Sequence, residues 1–362
     1  MQPDCAMRFF PLTVRSRLNQ CRATIKLTVP PNMDSLRALS VLLMLAWAWP
    51  ASAQAAEALR LAGTVPLPNV EGRIDHFSVD VKGGRLFMSA LGNNTVEVID
   101  LRTGTRTHAI SGLNEPQGVL YVPELNKIFV ANGQGGVCKV FDGTSLKLLD
   151  SIDFGDDADN VRYDPAAKLV YVGYGTGALG IINPATDKRM SDIRLEGHPE
   201  SFQLEPGGTR IFVNVPSAHH VAIVDRVTLQ VLARWILPRA RDNFPMALDP
   251  ADHRLFVATR TPARVFVLSS DSGKVIADVE ATGDADDMFY DSARKRIYVS
   301  GGEGFLSVIS QDDADHYRVL TRIPSASGAR TSFFVSEFGR LYLAVPRRKL
   351  QSAAIRIYQA EP

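Results

Sequence analysis

A basic residue followed by alternating aliphatic and aromatic positions recurs seven times along the chain: RLFMS at Arg85, KIFVA at Lys127, KLVYVG at Lys168, RIFVN at Arg210, RLFVA at Arg254, RIYVS at Arg296 and RLYLA at Arg340. The intervals are 42, 41, 42, 44, 42 and 44 residues. A period of this length means one supersecondary unit repeated, each copy needing its neighbours to bury its apolar faces. Inside each period, β-branched and aromatic runs alternate with turn residues in the manner of four short strands, a to d. Strand a reads FSVD, VLYV, VRYD, FQLE, MALD, MFYD and FFVS in successive copies; the basic-aromatic run is strand b; strand c includes TVEVID, VCKVFD and VAIVD.

Repeats of four strands in the low forties predict an all-β chain folded as a seven-bladed β-propeller. The last copy, residues 331–358, supplies strands a, b and c only, whereas EALRLAGTV at residues 57–65 precedes the first strand a. The N-terminal strand is therefore expected to pair with the C-terminal blade and close the ring, leaving no unpaired central edge. Acids that end strand a before proline, as in Asp164-Pro165, Glu205-Pro206 and Asp249-Pro250, are expected to bond backbone amides of the following turn.

Ahead of the repeats, Arg37 is followed by the apolar run ALSVLLMLAWAW and then by PASA, which ends at Ala51-x-Ala53. That layout predicts a signal peptide over residues 33–53, after an upstream extension at 1–32 and before a single propeller domain at 54–362. The apolar run is shorter than the roughly 20 residues that span a bilayer, so no membrane span is expected after cleavage, and the address is periplasmic or secreted. Without residues 1–53 the chain holds 34 Lys/Arg against 37 Asp/Glu, which argues against nucleic acid as a partner. Of the three cysteines only Cys138 lies in this part, so no internal disulfide is available and the residue reads as buried filler.

The runs KLVYVG, RIFVN, RIYVS, NNTVEVIDLRTG and HVAIVD carry a further signal, a resemblance to the YVTN-repeat, YncE-like family of exported bacterial seven-bladed propellers. The resemblance spans all the repeats and speaks to architecture more than to chemistry. It implies export and admits single-stranded DNA binding, which the acidic balance weighs against. The Trp-Asp dipeptide of WD40 repeats and the Cys-x-x-Cys-His signature of haem attachment are both missing.

Chain direction alternates from strand to strand, so the d-to-a and b-to-c loops emerge on one face, where a ligand would enter the channel. One position per blade at that mouth forms a column: Asp75, Gln117, Asp159, Glu200, Phe244, Asp286 and Thr331. The next column is His76, Gly118, Asn160, Ser201, Pro245, Asp287 and Ser332. Carboxylates brought together this way must meet arginines, bind a cation or take up protons. Arg73, Arg162, Arg241 and Arg330 lie within a few residues and could supply the pairing. A divalent cation such as Ca²⁺ could instead sit among Asp75, Asp159, Glu200 and Asp286, with Asn160 and His76 nearby. A third use of the mouth is recognition of an anionic or sugar-like molecule by the arginines. The residues expected to line it are thus Arg73, Asp75, His76, Gln117, Asp159, Asn160, Arg162, Glu200, Asp286, Asp287 and Arg330.

Weaker candidates are His219-His220 with His198 as a transition-metal group, Tyr174 as a stacking platform, and the basic run Arg347-Arg348-Lys349. No nucleophile elbow or Ser/His/Asp grouping stands out from the repeat. The expected function is a noncatalytic binding or interaction module, monomeric, with a small molecule or cell-envelope protein as partner. The alternative is a metal-assisted hydrolase of lactonase type using a cation in the mouth.

Overall fold

A computed structural model describes residues 57–362. The expectations for residues 1–53 lie outside the described residues. The described residues form one compact unit of 28 strands in seven four-stranded antiparallel sheets, with no α-helix among them and two 3₁₀ turns at Leu91–Asn93 and Pro216–Ala218. Six sheets run a-b-c-d in chain order, beginning at Phe77, Pro116, Ala158, Phe202, Arg241 and Ala285. The seventh takes strands a to c from Ser332–Val335, Arg340–Val345 and Ala354–Ala360, and its outer strand from Leu59–Pro66. That strand pairs antiparallel from Leu59 opposite Ala360 to Pro66 opposite Ala354, with a bulge between Leu61 and Gly63.

The recurring sequence run has a physical division of labour. Its aromatic position holds Phe87, Phe129, Tyr171, Phe212, Phe256, Tyr298 and Tyr342, all buried at 1% exposure or less. Apolar clusters fill the space between neighbouring sheets, one joining Leu86 and Met88 of blade 1 to Tyr342 and Ile355 of blade 7. Fully burying side chains of this size stabilises by roughly 1.5–3 kcal/mol each, which is why the pattern must recur in every blade.

In five of the seven copies the basic residue acts between blades, a role not apparent from the repeat alone. Arg85 donates to Gly143 O in the c-d turn of the next blade, and Lys127 reaches Pro184 O at 2.9 Å and Asp187 at 2.7 Å in the turn after that. Arg210 reaches Ser270 O at 2.6 Å, and Arg254 reaches Ala314 O at 2.8 Å. At the closing seam Arg296 donates to the carbonyls of Ala58, at 3.5 Å, and Glu361, at 2.5 Å, tying the two ends of the outer hairpin that no turn connects.

The proline-preceding acids behave as turn residues. Asp164 Oδ1 accepts from the amides of Ala166 and Ala167 at 3.0 and 3.1 Å, Asp249 Oδ1 does the same for Ala251 and Asp252, and Glu205 pairs with Arg210. Cys138 is fully buried, and burial pushes its thiol up to about 12, so it is inert filler. Gly118 is required by close approach: a Cβ there would stand 2.1 Å from the carbonyl oxygen of Asp159 in the adjacent blade. Gly118→Ala is expected to cost about 1–3 kcal/mol through forced separation of blades 2 and 3, read as a lower urea midpoint at unchanged slope. An unchanged midpoint would contradict that packing.

Candidate functional site

The mouth is built by local departures from regular pairing. In blades 2, 3, 5 and 6 the register between strands a and b slips across Pro116/Val119, Ala158/Val161, Asn243/Met246 and Ala285/Asp287. The column residues Gln117, Asp159, Phe244 and Asp286 sit within these slips. A bulge re-aims a side chain that regular pleating would send elsewhere, and in these four blades it turns one residue toward the axis, whereas Asp75 and Glu200 reach it from the loop just before a regularly paired strand a.

Asp75, Gln117, Asp159, Glu200, Phe244 and Asp286 accordingly line one polar cavity of about 180 Å³, together with Arg73, His76 and Arg330. Three further residues share it: Asp157, His198 and Arg260. The first two are d-to-a loop neighbours of the column, and Arg260 comes from the end of strand b of blade 5 (Arg254–Thr261). Stacking the d-to-a loops in the same way as the column would have found Asp157 and His198, but not Arg260.

The cavity has two chemically different walls. On one, Arg73 pairs with Asp75, Arg260 binds Asp286 at 2.7 Å, and Arg330 binds Asp286 and Asp284 at 3.0 Å each. Burial and the neighbouring Asp75 push the Asp286 carboxyl up to about 6, even though Arg330 and Arg260 oppose the shift. Burial disfavours the Arg73 cation, but Asp75 outweighs it and raises the guanidinium overall. Asp75 and Asp286, counted above among possible cation ligands, are thus already neutralised by arginine.

The other wall has no arginine partner. Asp159, His198 and Glu200 each present a ligand atom, and the three atoms lie within 4.8 Å of one another. His198 Nδ1 faces Gly175 O at 2.6 Å as donor, which leaves Nε2 toward Asp159 Oδ2 at 3.7 Å. A backbone acceptor on one imidazole nitrogen is how proteins orient the other toward a metal. Asp159 Oδ1 is buried with no hydrogen-bond partner. Burial, then Asp159 and Asp286, push the Glu200 carboxyl up to about 8. Two carboxylates and an imidazole, with one buried oxygen unsatisfied, fit a divalent cation. Histidine in the set shifts the preference from Ca²⁺, which takes oxygen ligands, toward Mn²⁺ or Zn²⁺.

His76 sits beneath this cavity and also lines a larger one below, of about 470 Å³. Its ring faces Asp287 at 3.3 Å, Asp75 at 3.6 Å, Asp159 at 3.8 Å and Asn160 at 3.3 Å. Burial favours the neutral ring, but Asp287 and Asp75 overcome it and raise His76 to about 10. Asp287 also accepts from the Ser332 amide at 2.9 Å.

Several expectations are corrected by this geometry. Arg162 and Asp287 line the lower cavity, not the upper mouth. Arg162 lies three residues beyond Asp159 on the same strand, a displacement of about 10 Å at strand rise. Asn160 is buried against His76 and lines neither cavity. Tyr174 is buried, with its hydroxyl on Asp192 at 3.1 Å and its ring 4.9 Å from Phe154, so it is no platform for a ligand. His220 opens a strand with its ring toward Ala218 O and Glu196, and His219 caps the 3₁₀ turn in a left-handed conformation; their partners differ from those of His198. Within the basic run, Arg347 pairs with Glu71.

Fold and channel together define a seven-bladed β-propeller with a charged upper mouth. No family model matches the sequence. The chain is similar to the uncharacterized protein YncE of Salmonella typhimurium and that of Salmonella typhi, each 23% identical over 226 residues, 58% of this chain. The match spans 63% of each relative's length. With its seven four-stranded blades, the chain is a propeller that resembles YncE. Among solved structures it is similar to a chain of the Kuenenia stuttgartiensis hydrazine synthase, with TM-score 0.69 and 17% identity over 76% of this chain and 94% of the other. A chain of a mitotic checkpoint complex gives TM-score 0.72 at 12% identity, covering 95% of this chain and all of the other. At these identities the likeness is one of fold. No helix among the described residues is long and apolar enough to cross a membrane.

Proposed function

We propose that this chain is an exported, noncatalytic binding module whose upper mouth holds a divalent cation on Asp159, His198 and Glu200 and uses it to anchor an oxygen-bearing ligand. The observation that carries the reading is the asymmetry of the mouth: one wall is saturated by arginines, while on the other the buried Asp159 Oδ1 has no hydrogen-bond partner and only the His76 ring, 3.8 Å away, as a counter-charge. The ligand is a small molecule or an acidic group on a cell-envelope protein, and the propeller acts as a monomer.

The test is thermal unfolding of the folded chain with MnCl₂, ZnCl₂ and CaCl₂. A cation at about 100 times its Kd stabilises by about 2.7 kcal/mol, a rise of a few degrees for a domain of this size. Asp159→Asn and Glu200→Gln should each remove the rise, and no shift of native protein with any of the three ions would sink the reading. A second reading, metal-assisted lactone hydrolysis, is favoured by the count of ligands, because three protein ligands leave positions for water and a substrate carbonyl. Lactone turnover that needs the ion and is lost in Glu200→Gln would select it.

A further inference from the structure

The lower cavity has a chemistry of its own. It is walled by Phe77, Tyr121, Tyr163, Phe289 and Phe333; Arg162 projects among them, while the other charged groups in its wall, His76 and Asp287, face each other at 3.3 Å. At about 470 Å³ it lies within the range of small-molecule sites, whereas the upper mouth is smaller and almost wholly polar.

Arg162 differs from the three arginines of the upper mouth in its partners. Its Nη1 donates to Val161 O at 2.9 Å and its guanidinium lies 5.6 Å from the Phe202 ring centroid, but it makes no ion pair among the described residues. Arg73, Arg260 and Arg330 each hold a carboxylate. The acid nearest to filling that role, Asp287, is engaged by the Ser332 amide and the His76 ring. Burial lowers the Arg162 guanidinium, and Asp287 and Asp159 only partly offset it. A half-buried cation with no carboxylate paired to it, set in an aromatic wall, is complementary to an anion carried on a flat apolar body.

We propose that the lower mouth is a second ligand site, distinct from the upper one, that takes an aromatic or similarly flat carboxylate, with Arg162 binding the carboxylate and the Phe and Tyr rings enclosing the body. Because the site uses none of Asp159, His198 and Glu200, it stands whether or not the upper mouth binds a cation.

The experiment titrates the folded chain with 2-naphthoate and with its uncharged counterpart 2-naphthylmethanol, read by ligand fluorescence and by calorimetry. Native protein should bind naphthoate at least tenfold more tightly. Arg162→Gln should remove that preference and leave the alcohol's affinity unchanged, because charge-assisted bonds to the carboxylate are lost while the rings remain. Tyr163→Ala should weaken both. Equal affinity of native protein for the two compounds overturns the proposal without recourse to any variant. A naphthoate affinity unaltered in a folded Arg162→Gln chain overturns it as well.

Discussion

Removal of residues 57–66 is expected to take away a large part of the stability of the whole ring, although the segment contributes one edge strand. Leu59 and Val65 are buried at 1% and 2%, and their loss alone costs about 3–6 kcal/mol at 1.5–3 kcal/mol per side chain. Domain stabilities of about 5–15 kcal/mol leave little margin for that. The deletion also exposes the pairing edge of Ala354–Ala360, which invites association with other chains. The truncated chain should therefore show a strongly lowered urea midpoint and concentration-dependent self-association by light scattering. A peptide covering residues 57–68, added in trans, should recover much of the midpoint. A truncated chain that stays monomeric with the native midpoint would show that the seventh blade does not depend on this strand.

The second large effect concerns His76. Its ring is the cation shared by Asp75, Asp159 and Asp287. Replacing it with Gln strands those carboxylates in a buried layer, and breaking a buried ion pair from one side costs about 3–5 kcal/mol. The pH dependence follows from the direction of the shift. His76 is raised from 6.5 to about 10, so between these values the folded chain holds a proton that the unfolded chain has released. The stabilisation is complete below about pH 6.5 and fades as pH climbs through 10. Urea midpoints of native and His76→Gln chains at pH 6, 8 and 10.5 should differ most at pH 6 and converge at the alkaline end. A gap independent of pH would mean that the folded ring is neutral.

The sequence makes the architecture legible because burial of one aromatic per blade imposes a period in the low forties, and four strand-like runs within each period single out a propeller. Phe87 to Tyr342 are read correctly from spacing alone. The column at the mouth is legible for a related reason: the repeat places Asp75, Asp159, Glu200 and Asp286 at equivalent positions, and they do line one cavity. What spacing cannot give is which acid meets which base. That is decided by register slips of one residue, such as the one at Ala158/Val161, and by neighbours outside the column such as His198 and Arg260. Arg162 shows the limit most plainly. Proximity in sequence suggested the upper mouth, whereas strand rise carries it to the opposite cavity. The basic residue of the repeat was equally opaque, because its partner lies about 60 positions away in the next blade, as with Lys127 and Asp187.

The contact that Arg296 makes with Ala58 and Glu361 has an entropic meaning. Six of the outer hairpins are joined by short covalent turns, which bring their strands together at almost no loop cost. The seventh joins segments separated by some 300 residues, for which the closure term (3/2)RT ln n comes to about 5 kcal/mol. Any force transmitted from upstream of Glu57 or downstream of Pro362 therefore bears directly on the one junction of the ring that lacks a peptide link.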